Sequence, residues 1–578
     1  MIPQPETRPI SQEQLVAEVK GIYAGLVMVE SKCIEVDTAQ STQAESTAKL
    51  NNEQWQALIA LHRTLLHEHH DFFLASQHPS ASPALRRLSQ KYAMPARMWR
   101  HGIHSFLELL RSRLPASLEH MLTFIYLAYS MMALLYETVP SFEDTWIECL
   151  GDLGRYRMAI EDEDIRDREI WTGVSRHWYA KASDRAPTTG RLYHHLAILS
   201  RPNAYQQLFY YSKSLCVAYP FKSARDSILT LFDPILNNNQ HQLPLLEFTF
   251  VKSHAILFID QMMADYNTTK TEFIARLDPT ISRCAKGWNT IGGQIAISNN
   301  NAILEYGKTD ANAQGDKNVI LAALTLKTGS AGGDVPMDGS EADSAETDGE
   351  PVPSEMFGII QDFVKDCDQV MFNRYGDNNI MSYLHVRLAY MYHMAQNESA
   401  MKHLEDRFPW AQVTRLLNLL VVDAQDLERT ESEEFPRPTE RPLPEDWTMR
   451  GHLWVEGLYP DDWFNSDKFE EDEKVFELPS MREHRRTRVL WFGRRLASFR
   501  KWIIYDKESK QYQCSYVLSH QAGCLVHGSL PKTLPRIARA STTDSTATMT
   551  DEMADSEPED FTKSEAEDAS SMVVEGDD

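Results

Sequence analysis

At 578 residues the chain exceeds one ordinary core, so two folded units with flexible segments are expected. Its formal charge of -25 is unevenly spread: residues 328–354 hold -7 and residues 544–578 hold -12, leaving -6 for the remainder. The foldable part is therefore nearly balanced, which argues against a broadly basic surface for nucleic acid. Seven scattered cysteines without C-x-x-C spacing point to a reducing compartment and no cysteine zinc site. The first residues, Met1 to Glu6, lack the basic and apolar regions of a secretory signal, so none is expected.

Helical periodicity runs from about residue 11 to 308. Leu15, Val19, Ile22 and Leu26 recur at three and four, and Trp55, Leu58, Ile59, Leu65, Leu66, Phe72 and Phe73 continue the pattern. Strand signals are nearly absent. The apolar run Met121–Tyr136 is about 16 residues, short of the roughly 20 needed to span a bilayer, and is read as a core helix; no membrane partner is expected. Prolines at 79, 83, 115, 140, 187, 202 and 220 divide the chain into helices of ordinary length, which predicts stacked antiparallel helices. Residues 171–221 approximate a pair of tetratricopeptide-like hairpins that close at Pro220. A Gly/Ser/Asp/Glu-rich stretch at 309–355 reads as a disordered acidic linker or loop, and helical pattern resumes at Met356–Val370 and His385–Ala395. A basic helix over Arg482–Trp502 closes the ordered region, and 535–578 reads as a disordered acidic tail. Its Ser556 and Ser564, set among acids, suit an acidophilic kinase. The domains expected are 10–308 and 356–510, both helical.

The stretch Leu150-Gly151-Asp152-Leu153-Gly154-Arg155-Tyr156-Arg157 sets a guanidinium beside a phenol in an apolar helical pattern. A planar Arg fork takes two phosphate oxygens and a phenol adds a donor, so the pair suits phosphate. Other constellations point away from chemistry. His67-Glu68-His69-His70-Asp71 has Asp where a metalloprotease helix needs its second His. Consecutive acids at 161–164 point around a helix and cannot converge on one ligand. No Ser/His/Asp arrangement or phosphate loop is present, so no enzyme and no cofactor are expected.

The motif at 151–157, Tyr193-x-x-Leu196-Ala197-Ile198-Leu199, Phe209-Tyr210-Tyr211-x-x-Ser214 and Pro220-Phe221 resemble a known family. So do Trp410 before Leu416-Leu417, Leu443-Pro444-Glu445-Asp446 before Gly451 and Trp463, and Arg485, Arg488, Leu490, Gly493 and Trp502. It joins the telomerase-activating "ever shorter telomeres" proteins to adaptors of nonsense-mediated mRNA decay, with filamentous-fungal members nearest in character. The resemblance covers most of residues 10–505. It implies an all-α chain: a 14-3-3-like domain with tetratricopeptide-like hairpins packed on a second helical domain. It further implies a phosphoserine pocket lined by Arg155 and Tyr156. The decay-type members place a lysine in an early helix. No Lys lies between Lys49 and Lys91 here, and Arg63 beside His62 is taken as its counterpart. His194 stands where the decay adaptors have an Asn able to bond a bound peptide.

The implied partners are a phosphorylated decay helicase, with mRNA decay or deadenylation factors, in cytoplasm and nucleus. The alternative is a telomerase subunit binding telomerase RNA and telomeric single strands. Some relatives carry a C-terminal nuclease domain; residues 535–578 read as an acidic tail, so that activity is not expected. Arg482, Arg485, Arg486 and Arg488, interleaved with Trp491, Phe492 and Trp502, are the candidate contacts to RNA or single-stranded DNA.

Overall fold

The computed structural model describes residues 10–42, 50–161, 164–237, 243–260, 262–308, 318–328, 353–422, 427–437, 441–464, 469 and 471–516. The expected acidic tail, its two serines and most of the expected acidic loop lie outside these residues. The principal helices are α1 Gln12–Thr42, α2 Asn52–Ser76, α3 Ser105–Arg111, α4 Leu118–Thr138, α5 Glu143–Ala159, α6 Ile165–Arg185, α7 Gly190–Ile198 and α8 Ala204–Leu215. They continue as α9 Leu245–Ile259, α10 Met263–Cys284, α11 Trp288–Ile303, α12 Val319–Thr328, α13 Glu355–Phe372, α14 Met381–Ala395, α15 Trp410–Val422, α16 Pro444–Met449 and α17 Met481–Ser498. Among the described residues the chain is all-α apart from one antiparallel pair of strands, β1 Ile503–Asp506 and β2 Gln511–Cys514, with Ile503 opposite Cys514 and Asp506 opposite Gln511.

Local chemistry sets several of these boundaries. At the start of α2, Asn51 Oδ1 accepts from Gln54 N at 2.8 Å and Gln54 Oε1 accepts from Asn51 N at 2.9 Å. This reciprocal box satisfies two of the donors a helix start leaves open. The stripe expected on α2, from Trp55 to Phe73, is the buried one. Helix α4 is the one described helix long and apolar enough to cross a membrane. Its face of Met121, Phe124, Ile125, Ala128, Met131, Met132 and Leu135 is buried in the first core.

Apolar packing forms two large cores. One gathers residues from Leu15 to Tyr156; the other runs from Ala197 to Tyr512 without a break at the expected 308/356 boundary. A small cluster of Ile147, Met158, Tyr179, Leu192 and Val217 bridges them at α5–α8. The expected 309–355 loop also needs correcting in part. Val319–Thr328 is helical because Val319, Ile320 and Leu321 enter the second core, and Asn318 Nδ2 donates to Ile303 O at 2.9 Å.

A strap around α16 ties the late chain to the hairpins. Lys213 Nζ on α8 donates to Thr448 O at 2.8 Å and lies 4.2 Å from the Tyr193 ring centre; burial pushes its pKa well down. Val217 and His452 form a β-bridge. Gly451, with φ +90°, turns the strap against Pro187 so closely that a Cβ there would lie 1.9 Å from Pro187 O.

Buried histidines give the second core a pH dependence. His254 Nδ1 lies 2.7 Å from the Tyr306 hydroxyl, and burial drives its pKa down from 6.5 to about 3, against a smaller raising effect of Asn299. The unfolded chain therefore binds more protons than the folded one between these values. Stability contributed by neutral His254 is complete above about pH 6.5 and is lost as the pH falls toward 3. His69 in the first core, lowered by burial to about 4, acts in the same direction. Urea midpoints are expected to fall from pH 7 to pH 4, and His254→Gln is expected to flatten that fall. An unchanged slope in the variant would contradict the assignment.

Candidate functional site

Two glycines bring α5 and α6 together. A Cβ on Gly154 would lie 3.2 Å from the Ser175 backbone, and one on Gly151 would lie 3.1 Å from the Tyr179 ring. Ser175 Oγ donates to Gly151 O at 2.8 Å. The Gly-x-x-Gly spacing places both on one face of α5, which explains the glycines before the Arg-Tyr pair.

On the adjoining face, Arg155 Nη2 donates to Asp152 Oδ1 at 3.3 Å, and the Tyr179 hydroxyl donates to the same oxygen at 2.5 Å. Burial works against the Arg155 cation, but Tyr179 and Asp152 outweigh it and raise its pKa, so the guanidinium stays charged. Its side chain is mostly buried and keeps 12% exposure. The Tyr156 hydroxyl donates to Glu108 Oε1 at 2.9 Å, and burial with the Glu108 charge raises its pKa, so it remains a donor. Glu108 Oε2 in turn accepts from Arg111 Nη2 at 2.7 Å.

His195 stacks on Tyr179 at 4.7 Å and 15°. It is 3% exposed, and neither ring nitrogen has a hydrogen-bond partner. Burial first, then His194, Arg155 and Arg191, press its pKa well below 6.5, so it is neutral. Arg191 pairs with Glu148 one turn from Asp152. The site thus combines Arg155 and Tyr156 with Glu108, Arg111, Asp152, Tyr179, Arg191 and His195. Of these, only Arg155 and Tyr156 were singled out from the sequence as phosphate contacts.

Arg63 and His194 are not part of this cluster. Helix α2 buries the face of Ile59, His62 and Leu66 and leaves Arg63 exposed, with no contact to Arg155 or Tyr156 among the described residues. The second cation at Tyr156 is Arg111, joined through Glu108. His194 is 1% exposed and turned the other way, with Nε2 3.0 Å from Ser227 Oγ and its ring 5.0 Å from Phe221. Adjacent residues on a helix face different directions, so of this pair His195 is the one that meets α5 and α6.

The expected arginine strip on α17 also needs correction. Arg485 is 2% exposed, and its fork donates to Glu445 at 2.6 and 2.9 Å and to Glu477 at 2.7 and 3.0 Å. Arg488 is 2% exposed and stacks 3.4 Å from the Phe435 ring centre. Arg486 pairs with Glu483 at 2.8 Å. Only Arg482 is exposed. The Leu443-Pro444-Glu445-Asp446 motif is structural as well. Asp446 accepts from Leu443 N at 3.0 Å, the Tyr459 hydroxyl at 3.1 Å and Trp463 Nε1 at 3.3 Å. No group of His, Cys, Asp and Glu able to hold a metal is found among the described residues.

Comparison with known proteins finds a family model that matches part of the chain. Residues 175–283, from the middle of α6 through α7, α8 and α9 to most of α10, match the family model described as Est1 DNA/RNA binding domain. EST/SMG-like protein 2 of Saccharomyces cerevisiae is 23% identical over 210 residues, 34% of this chain and 16% of that protein. Telomerase-binding protein EST1A of Danio rerio is 35% identical over 88 residues, 15% of this chain and 5% of that protein. Nonsense-mediated mRNA decay factor SMG7 of Arabidopsis thaliana is 35% identical over 86 residues, 14% of this chain and 8% of that protein. The matched regions thus amount to no more than about a sixth of those relatives' lengths. A crystal structure of Est1 and Cdc13 aligns with 88% of this chain and 99% of the solved one, at a TM-score of 0.47 and 13% identity.

Proposed function

From a chain that carries an Est1 DNA/RNA binding domain and is homologous to EST/SMG-like proteins, we infer a non-enzymatic adaptor that docks a phosphoserine-containing partner in nonsense-mediated mRNA decay. The observation that carries this reading is the charged Arg155, 12% exposed beside Tyr156, backed by a buried histidine whose nitrogens have no partner. A phosphate has the charge and acceptors to replace Asp152 and Glu108 as partner of Arg155, Tyr156 and Arg111. Each such charge-assisted bond is worth about 1.5–3 kcal/mol. His195 would then supply a further donor. The proposed partner is the phosphorylated decay helicase, with decay or deadenylation factors held elsewhere, in cytoplasm and nucleus.

A telomerase role is the second reading, favoured by identity to a telomerase-binding protein equal to that shared with the decay factor. Affinity purification of wild type and Arg155→Gln, with and without phosphatase, separates them. Recovery of helicase and decay factors that is lost in both arms supports the decay role. Telomerase RNA in the wild-type eluate, with no decay factors, overturns it.

His195→Phe distinguishes a ligand contact from a packing residue. Phenylalanine keeps the stack on Tyr179 and removes both unpartnered nitrogens, so stability is expected to hold or rise by about 1–3 kcal/mol. Phosphopeptide affinity is expected to fall about tenfold. A loss of stability with unchanged affinity would make His195 structural.

A further inference from the structure

Where the strap meets α17, an acidic cleft lined by rings opens to solvent. Its volume is about 440 Å³, and its rings are Tyr392 from α14, Trp491 from α17, and Phe435 and Tyr459 from the segments on either side of α16. They meet edge to face: Tyr392 on Trp491 at 5.7 Å, Phe435 on Tyr459 at 5.4 Å and Phe435 on Trp491 at 6.0 Å. Hydrogen bonds fix two of them, Trp491 Nε1 donating to Ser432 O at 3.0 Å and the Tyr459 hydroxyl to Asp446 Oδ1 at 3.1 Å. A wall held this way loses little freedom when a ligand arrives.

The charge of the cleft comes from two carboxylates, and neither lysine nor arginine is among its lining residues. Glu456 is exposed beside Gly457, which turns the chain with φ +69°, and its carboxylate has no hydrogen-bond or ion-pair partner among the described residues. Glu433 is 94% exposed, and Arg495, paired with it, lies 3.6 Å away, too far for a hydrogen bond. The same rings already take guanidinium groups from within the chain. Arg488 lies 3.4 Å from the Phe435 ring centre, and Arg495 lies 5.9 Å from the Trp491 centre, pinned by a bond from its Nη2 to Glu431 O at 3.1 Å. The cleft repeats the rings and the carboxylates and lacks the cation.

We propose that this cleft binds an arginine side chain from a basic segment of a partner protein, its guanidinium laid against the rings and paired with Glu456 and Glu433. Arginine suits both halves of the site: its weakly hydrated plane stacks on aromatic faces and its fork meets carboxylates, whereas a lysine ammonium keeps its water. A neighbouring cleft of about 590 Å³ shares Phe435 and Pro460 and carries Glu434, which leaves room for the residues flanking the arginine and favours a chain segment over a free small cation. The site shares no residue with the Arg155 cluster and takes a ligand of opposite charge, so the two stand or fall separately.

The test is fluorescence anisotropy of the full chain with labelled Gly/Ser peptides that differ only at their centre: Arg-Gly-Arg, Lys-Gly-Lys and the trimethyl-lysine form. The lysine peptide measures what the acidic segments 328–354 and 544–578 attract by charge alone. Wild type is expected to bind the arginine peptide at least about fivefold more tightly than the lysine peptide. Glu433→Gln/Glu456→Gln, at two exposed positions, is expected to weaken the arginine peptide about tenfold with circular dichroism unchanged. Tyr392→Leu keeps apolar bulk on α14, removes a ring, and is expected to erase the preference for arginine. Equal binding of the arginine and lysine peptides by wild type, or no binding of either, overturns the proposal. So does a double variant, or a folded Tyr392→Leu protein, that keeps the wild-type preference. Tighter binding of the trimethyl-lysine peptide than of the arginine peptide also overturns it, giving the cleft to a methylated ammonium instead.

Discussion

Arg485→Met is expected to destabilise the second core by about 3–5 kcal/mol, read as a lower urea midpoint. Removing the guanidinium leaves Glu445 buried with only His385, 2.8 Å away, and leaves Glu477 without its fork. Burial alone would raise the Glu445 pKa; Arg485 and His385 instead hold it far below the carboxylate range, and losing Arg485 removes most of that compensation. Arg482→Met, three residues earlier on the exposed side of the same helix, is expected to stay within about 0.5 kcal/mol. Equal effects of the two substitutions would mean that the Arg485 network contributes no more than a surface charge.

The second large effect is at Gly451. Alanine there meets both a φ of +90° and a Cβ 1.9 Å from Pro187 O and 2.7 Å from Pro187 C, all backbone atoms that cannot swing aside. Gly451→Ala is expected to cost more than about 4 kcal/mol and to release the strap from the hairpins, exposing residues 444–464 to limited proteolysis. Gly457 is the control. Its φ is +69° with nothing near its Cβ position, so alanine there carries backbone strain alone, about 1–2 kcal/mol. A Gly451→Ala protein as protease-resistant as Gly457→Ala would show that the strap does not depend on that close approach.

The helical fold was legible because its signal is local. Apolar residues at three and four mark α2 and α4, and prolines mark where the helices stop. Asp152 beside Arg155 was visible for the same reason, one turn away. The rest of the site was not. Glu108 and Arg111 come from α3, about 45 residues before Arg155, and no spacing rule links them. The choice between His194 and His195 depends on the rotation of α7 against α5. Arg485 and Arg488 of α17 belong to a basic pattern, yet their forks turn inward to Glu445 and the Phe435 ring, and charge counts cannot show an acidic partner 40 residues away. Strands β1 and β2 are four residues each, too short for an alternating pattern to stand out, and Val319–Ile320 were hidden within an acidic stretch.

Arg155 and Tyr156 are proposed to receive a phosphate. Titration of the full chain with a phosphoserine peptide library and its unphosphorylated twin tests it most directly, using wild type, Arg155→Gln and Tyr156→Phe. Binding of the phosphorylated library alone is expected, weakened on the order of tenfold to a hundredfold in Arg155→Gln and less in Tyr156→Phe, with helical circular dichroism unchanged. Equal affinity of wild type and both variants for the phosphorylated library would contradict it.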